Sequence, residues 1–281
     1  MGFPTSRAIV WLLCAAVLST PGRAPAAADP ARQAAELLEL SGLEAQLESL
    51  PPQVLQGIHT SPLQLGPDLG DKLVALVQRE YAPERVRRDI VSRLSAEMDA
   101  DRAARSIAWL RSPAGTRLRE AEEAASAPEA IAGMERFARR LALSGPTPER
   151  LALVTRIEAA SESTELVLDT IFSTALAVAL TLGATSESPA TAEQIMAEFE
   201  APRARMRSEI QETVLISYLY TYRELTDPEL GAYAAFLESD PGRWYSRALS
   251  RAFLGALTGS ARRLGTGFRR HLDVARMRQP L

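Results

Sequence analysis

Apolar residues recur at three- and four-residue spacing along almost the whole chain, with Ala, Leu, Arg and Glu dominating and alternating β-branched runs scarce. That period predicts amphipathic helices and an all-α fold. Pro and capping residues place the boundaries. Residues 31–50 read as one helix stopped by Pro51 and Pro52, and a looser stretch over 57–70 carries Pro62 and Pro67. A helix resumes over 71–81, Pro83 opens another to about Met98, and Asp99 caps the next. Ser144-Gly145-Pro146-Thr147-Pro148 reads as a linker, since Gly and Pro both interrupt a helix. Beyond it the period predicts helices over 149–161, 164–182, 192–222 and 227–238, and a last one from Pro241 onward.

A short phrase returns 127 positions along the chain. Trp109-Leu110-Arg111-Ser112-Pro113-Ala114-Gly115 reappears as Phe236-Leu237-Glu238-Ser239-Asp240-Pro241-Gly242. Ahead of it, Ala103, Ile107 and Leu110 form an i, i+4, i+7 stripe that Leu230, Ala234 and Leu237 repeat at the same offset. Both copies read as helix, corner, helix. In the second, Thr226 and Glu229 have the spacing of a capping box, and Pro228 falls in the first turn, where its missing N–H costs nothing. In the first, Asp99 caps alone. After the corner, Ser112 or Asp240 caps the next helix, with Pro113 or Pro241 in its first turn. The expected organisation is therefore two tandem helical units, 29–143 and 149–264, followed by a basic tail over 265–281. Helix punctuation accounts for every residue of the phrase, which leaves it no catalytic role.

These residues resemble the domain of unknown function 2059 family, found in exported bacterial proteins. Its usual pattern is Phe-Thr-x-x-Glu-Leu, then Phe-Tyr-x-Ser-Pro-x-Gly-x-Lys. Thr226, Glu229, Leu230, Phe236, Ser239 and Gly242 match it in the second copy. Trp109, Ser112, Pro113 and Gly115 match in the first, with Arg117 where the Lys would be. Leu110 and Leu237 replace the second aromatic, and Trp244 replaces the Lys of the second copy. The resemblance implies a small, all-helical, exported unit without an established activity, and it implies no site.

The first 28 residues read as a cleaved export signal. Arg7 precedes an apolar run from Ala8 to Leu18, Thr20-Pro21-Gly22 breaks it, and Ala24-Pro25-Ala26 or Ala26-Ala27-Ala28 offers a small-residue cleavage site. The run is too short for a span, which takes about 18 apolar residues or more. Cys14, the only cysteine, lies inside the signal and would leave with it, so the mature chain has neither disulfide nor thiol nucleophile. The expected location is periplasmic or secreted, in a bacterium. A second apolar stretch, 166–182, contains Asp169, with Thr170, Ser173 and Thr174 close behind it. A charge inside a span costs about 2.5–3.5 kcal/mol, so a buried core helix is expected there and no transmembrane span in the mature chain.

Charge adds one asymmetry. The formal net charge is −3 and Lys72 is the only Lys, yet from Arg243 onward nine Arg face a single acid, Asp273. Arg243, Arg247 and Arg251 lie four apart and share one helix face; with Arg262 and Arg263 they form the candidate binding surface. Arg269 and Arg270 lie further on, past Gly265 and Gly267, which are expected to end that helix. Two readings stay open: these Arg pair with the acidic body, or they dock on an anionic lipid surface or an envelope protein. Nucleic acid is disfavoured by the export signal and the overall acidity.

Catalytic patterns are missing from the sequence. His59 and His271 have no ligand partner at helical spacing, and there is no His-Glu-x-x-His, Gly-x-Ser-x-Gly, P-loop or dinucleotide fingerprint. Asp99 and Asp101 read as acids at a helix N-terminus, and Glu120, Glu122 and Glu123 as a solvated face. Glu97 and Glu224, at equivalent positions of the two copies, are the one pair open to acid–base work. The expectation is a non-enzymatic binding module without metal or cofactor. A carrier enclosing an apolar ligand between the units is the alternative, and a hydrolase using the paired Glu the third reading.

Overall fold

The helical period is realised throughout. The computed structural model describes residues 29–59, 67–127, 130–183 and 192–277, and it is all-α, with no strand among the described residues. The expected export signal over 1–28 lies outside them. The helices are α1 (Pro30–Leu40), α2 (Leu43–Leu47), α3 (Leu50–His59), α4 (Pro67–Glu80), α5 (Pro83–Ala96), α6 (Ala100–Leu110) and α7 (Pro113–Ser126). They continue as α8 (Ala130–Ser144), α9 (Pro148–Ser161), α10 (Ser163–Gly183), α11 (Ala192–Thr221), α12 (Asp227–Glu238) and α13 (Asp240–Met277).

Most boundaries fall where capping chemistry placed them. Asp99 accepts from the Arg102 amide, Thr147 from Arg150, and Thr226 and Glu229 close a capping box. The stretch 31–50 differs. It is broken at Ser41-Gly42, with Gly42 in the left-handed region at φ 71°, and Pro51-Pro52 stand in the first turn of α3 instead of stopping a helix. Pro has no N–H to lose there, so the pair opens a helix as readily as it ends one.

Both corners carry the same cap. The Ser112 hydroxyl accepts from the Gly115 amide at 3.2 Å, and the Ser239 hydroxyl accepts from the Gly242 amide at 3.2 Å. The cap of the second corner is thus Ser239, not Asp240 as expected. Asp240 instead takes a two-pronged bond from Arg102 of the first copy, at 3.0 and 3.1 Å. The two glycines are equivalent as well. A Cβ on Gly115 would lie 2.6 Å from the Trp109 carbonyl oxygen, and one on Gly242 would strike the Phe236 carbonyl.

The copies meet through their aromatics. Trp109 and Phe236 stack with centroids 4.1 Å apart and planes 4° from parallel, and Tyr233 continues the stack on Trp109. Ser106, fully buried, donates to the Pro241 carbonyl oxygen across the same contact. The two repeated stripes, Ala103/Ile107/Leu110 and Leu230/Ala234/Leu237, are all buried in one apolar cluster with α1, α4, α5 and α13. The regions expected as two tandem units share this single core.

The 38-residue α13 is what joins them. Tyr245, Leu249, Ala252, Ala256, Leu264 and Phe268 run down its buried face at three- to four-residue steps, with one eight-residue gap spanned by the buried Ser260 and Ala261. The helix packs on α10, α5, α4 and α6 in turn. Contrary to expectation it does not end at Gly265 or Gly267, and there is no separate tail from 265 to 277. Gly costs about 1 kcal/mol in a helix interior. Here it removes a clash, because a Cβ on Gly267 would lie 2.9 Å from Leu76 of α4. Close packing and the burial of Phe268 one residue later carry the helix through.

The apolar stretch at 166–182 forms α10, packed on α13 and α11, with Leu168 and Phe172 buried. No helix among the described residues is long and apolar enough to cross a membrane.

Candidate functional site

The Arg residues singled out on α13 divide into two kinds. Arg243 bonds the Glu238 carbonyl oxygen at the start of its own helix. Arg247 reaches Glu162 at 2.8 Å, and Arg251 reaches Glu97 at 2.8 Å. All four side chains in those two ion pairs are more than half exposed, so each pair is worth about 0–1 kcal/mol. This part of the face is neutralised by the acidic body.

The far end of α13 is arranged differently. Arg263 donates to Glu80 at 2.9 Å through Nε and to Asp89 at 2.8 Å through Nη2, which ties α13 to α4 and α5. Glu80 is 3% exposed and takes Arg79 on its other oxygen at 2.8 Å, with Arg85 at 3.3 Å. Burial would raise the Glu80 carboxyl. The hydrogen bonds from Arg79 and Arg263 and the charge of Arg85 more than reverse that and hold it below the ordinary carboxylate range. Arg262 and Arg270 are exposed on the same face of α13 and have no carboxylate partner among the described residues. They line, with Arg79, Glu80, Arg263 and Gly267, a recess of about 300 Å³. Within it and behind it, five guanidinium groups answer two carboxylates.

Of the five residues expected to form one basic face, the structure brings only Arg262 and Arg263 to this recess. Arg79 and Arg270 complete it. Arg270 was visible in the sequence as part of the basic run, but Arg79 sits alone on another helix and gave no signal.

A second recess, of about 230 Å³, is lined by Glu162, Glu165, Asp169, Arg247 and Arg251. Its Glu165 and Asp169 are both held by Arg203, at 2.7 and 2.8 Å. Charged side chains line both recesses, and Leu166 and Leu254 add apolar wall to the second. The Glu97 and Glu224 carboxylates are tied to different cations, Arg251 and Arg223.

One acid does not stand where its spacing suggested. Glu122, expected on a solvated face with Glu120 and Glu123, is half-buried, and its Oε1 accepts from the Tyr222 hydroxyl at 2.8 Å. Gly42 lies beside the other oxygen: a Cβ there would sit 3.6 Å from Oε2. Desolvation pushes this carboxyl up to about 7, the Tyr222 hydrogen bond opposes the shift, and the neighbouring Glu123 charge adds to it. Nothing local marks this position, because the phenol is that of Tyr222, just past the end of α11 and a hundred residues away.

The chain matches no family model, no curated protein and no solved structure, so its site is read from its own geometry.

Proposed function

We propose that this protein is an exported, non-enzymatic helical module that works by binding, and that it docks on a phosphate-rich anionic lipid surface through the far end of α13. One observation carries the reading: Arg262 and Arg270 are exposed on α13 with no carboxylate partner among the described residues, flanked by Arg79. Charge complementarity favours lipid headgroups over a protein partner. Protein interfaces centre on buried aromatic or aliphatic anchors. Among the described residues, the large apolar side chains that are exposed, such as Leu143, Leu151 and Ile171, lie on other helices. Guanidinium groups, by contrast, match phosphate oxygens two by two. The resemblance of the helix–corner–helix to an exported family supports the location.

Each Arg near an anionic leaflet contributes about 1 kcal/mol, screened by salt. Flotation with phosphatidylglycerol-containing vesicles and with phosphatidylcholine vesicles tests the reading. Binding is expected for the first alone, and the double substitution Arg262→Gln/Arg270→Gln should weaken it by roughly thirtyfold at low salt. Equal partition of the native protein onto both vesicle types would overturn it.

A further inference from the structure

The recess at the end of α13 has more structure than a charged patch requires. Arg262 and Arg270, two helical turns apart, flank it on one side, and Arg79 on α4 closes the other. Arg79 spends its Nε on Glu80, which fixes the plane of its guanidinium. Its Nη2 lies over Gly267, 3.7 Å from where a Cβ would be. The absent side chain is therefore what opens space beside the guanidinium. Beneath them Glu80 cannot repel an anion strongly. Both its oxygens are taken, by Arg79 on one and by Arg263 and Arg85 on the other.

We propose that this recess is a binding site for one phosphoryl group, gripped by Arg79, Arg262 and Arg270 and braced from below by the Arg263–Glu80–Asp89 pairs. A phosphomonoester offers three terminal oxygens to three guanidiniums, and a headgroup phosphodiester offers two in a tetrahedral arrangement; guanidinium groups pair with either. The volume, about 300 Å³, leaves room for the group that the phosphate esterifies. Arg262 and Arg270 touch the ligand. Arg263 is a positioning residue, since its nitrogens are committed to Glu80, Asp89 and Ser260. The proposal rests on the anionic-surface reading and sharpens it, from diffuse attraction to one seat for one headgroup phosphate.

Titration of the folded protein with inorganic phosphate, followed by calorimetry, tests it, with sodium chloride at matched ionic strength as the blank. Saturable binding is expected, weakened about tenfold or more in Arg262→Gln/Arg270→Gln, as loss of two charge-assisted contacts implies. Arg247→Gln/Arg251→Gln should bind phosphate as the native protein does. Both pairs are exposed, and circular dichroism should show each variant folded. Flotation on phosphatidylglycerol vesicles separates the sources of the phosphate. If inorganic phosphate displaces the protein from vesicles better than chloride of equal ionic strength, the headgroup sits in the recess. Vesicle binding without any phosphate binding would overturn the single-phosphate site and leave the docking surface standing. Loss of both would overturn both. Phosphate binding that survives the Arg262/Arg270 substitutions would place the anion elsewhere and also overturn the site.

Discussion

Replacing Glu122 with Gln tests whether a carboxyl is held inside this fold by a phenol and without a cation. The groups facing it are Tyr218 on α11, Tyr222 just past its end, Tyr233 on α12, Tyr245 on α13, Glu123 on its own helix and the Gly42 corner. The folded-state value of about 7 stands against an ordinary 4.5. The folded protein therefore keeps a proton that the unfolded chain releases. As pH rises from about 4.5 the unfolded state ionises first, so stability falls, and the loss levels off above about 7. At about 1.4 kcal/mol per unit, the ceiling is roughly 3 kcal/mol, and water at the open side of a half-buried residue brings the expected loss nearer 2.

Gln at this position cannot ionise. Its amide needs two acceptors in a site built for a carboxyl, so the variant should be slightly less stable than the native protein near pH 4. By pH 8 it should be equal or more stable, the gap having moved by about 2 kcal/mol in its favour. Urea unfolding midpoints of both proteins at the two pH values give the gap, and every other titration cancels in the comparison. A gap that moves by less than about 0.5 kcal/mol between those conditions would show that Glu122 titrates normally, with its carboxyl in water. Tyr222→Phe provides the second arm: it removes the one bond that lowers the Glu122 value, so the pH window should shift upward.

The remaining predictions address the helices. Phe268→Ala should cost about 3–5 kcal/mol in urea unfolding, and cutting the chain after Leu264 should destabilise the fold for the same reason, because Phe268 belongs to the core. Gly115→Ala and Gly242→Ala should both destabilise by about 1–3 kcal/mol; a neutral result at either would mean that its corner is looser than its twin. Ser239→Ala should lower stability by about 1 kcal/mol while Asp240→Asn does much less, since the first holds the helix cap and the second an exposed ion pair. Removing Arg247 or Arg251 should change the melting temperature little, and a fall of several degrees would contradict the assignment of their pairs as surface contacts.

The helices were legible because their signals are local. A cap, a first-turn Pro and an apolar stripe lie within a dozen residues of one another, and α5, α6, α9, α10, α11 and α12 came out within one to three residues of expectation. The errors share a different cause. Gly267 breaks a helix on local propensity, and only Leu76 on another helix shows why it does not. Glu122 sits among polar neighbours in sequence and among phenols in space. Asp240 has the composition of a cap, but an Arg from the other copy claims it. The candidate site was half legible for the same reason. The run of Arg on α13 was plain. Which of them stay free depends on Glu97, Glu162, Glu80 and Asp89, all distant in the chain.

The repeat itself points away from its own chemistry and toward its one asymmetry. The two corners share cap, glycine and aromatic, and they spend those residues on each other, in the Trp109–Phe236 stack and the Ser106–Pro241 bond. What differs is the helix that follows. After the first corner α7 stops at Ser126, whereas after the second α13 runs on to Met277. The extra length crosses α5 and α4 and carries Arg262, Arg263 and Arg270 to a place that the first copy cannot reach. A helix this long, at about 1.5 Å per residue, needs its far end anchored. Phe268 and the Arg263–Glu80 pair supply that anchor. Anchoring accounts for Arg263 but not for Arg262 or Arg270, which have no carboxylate partner among the described residues, and that surplus of charge is the reason to place binding there.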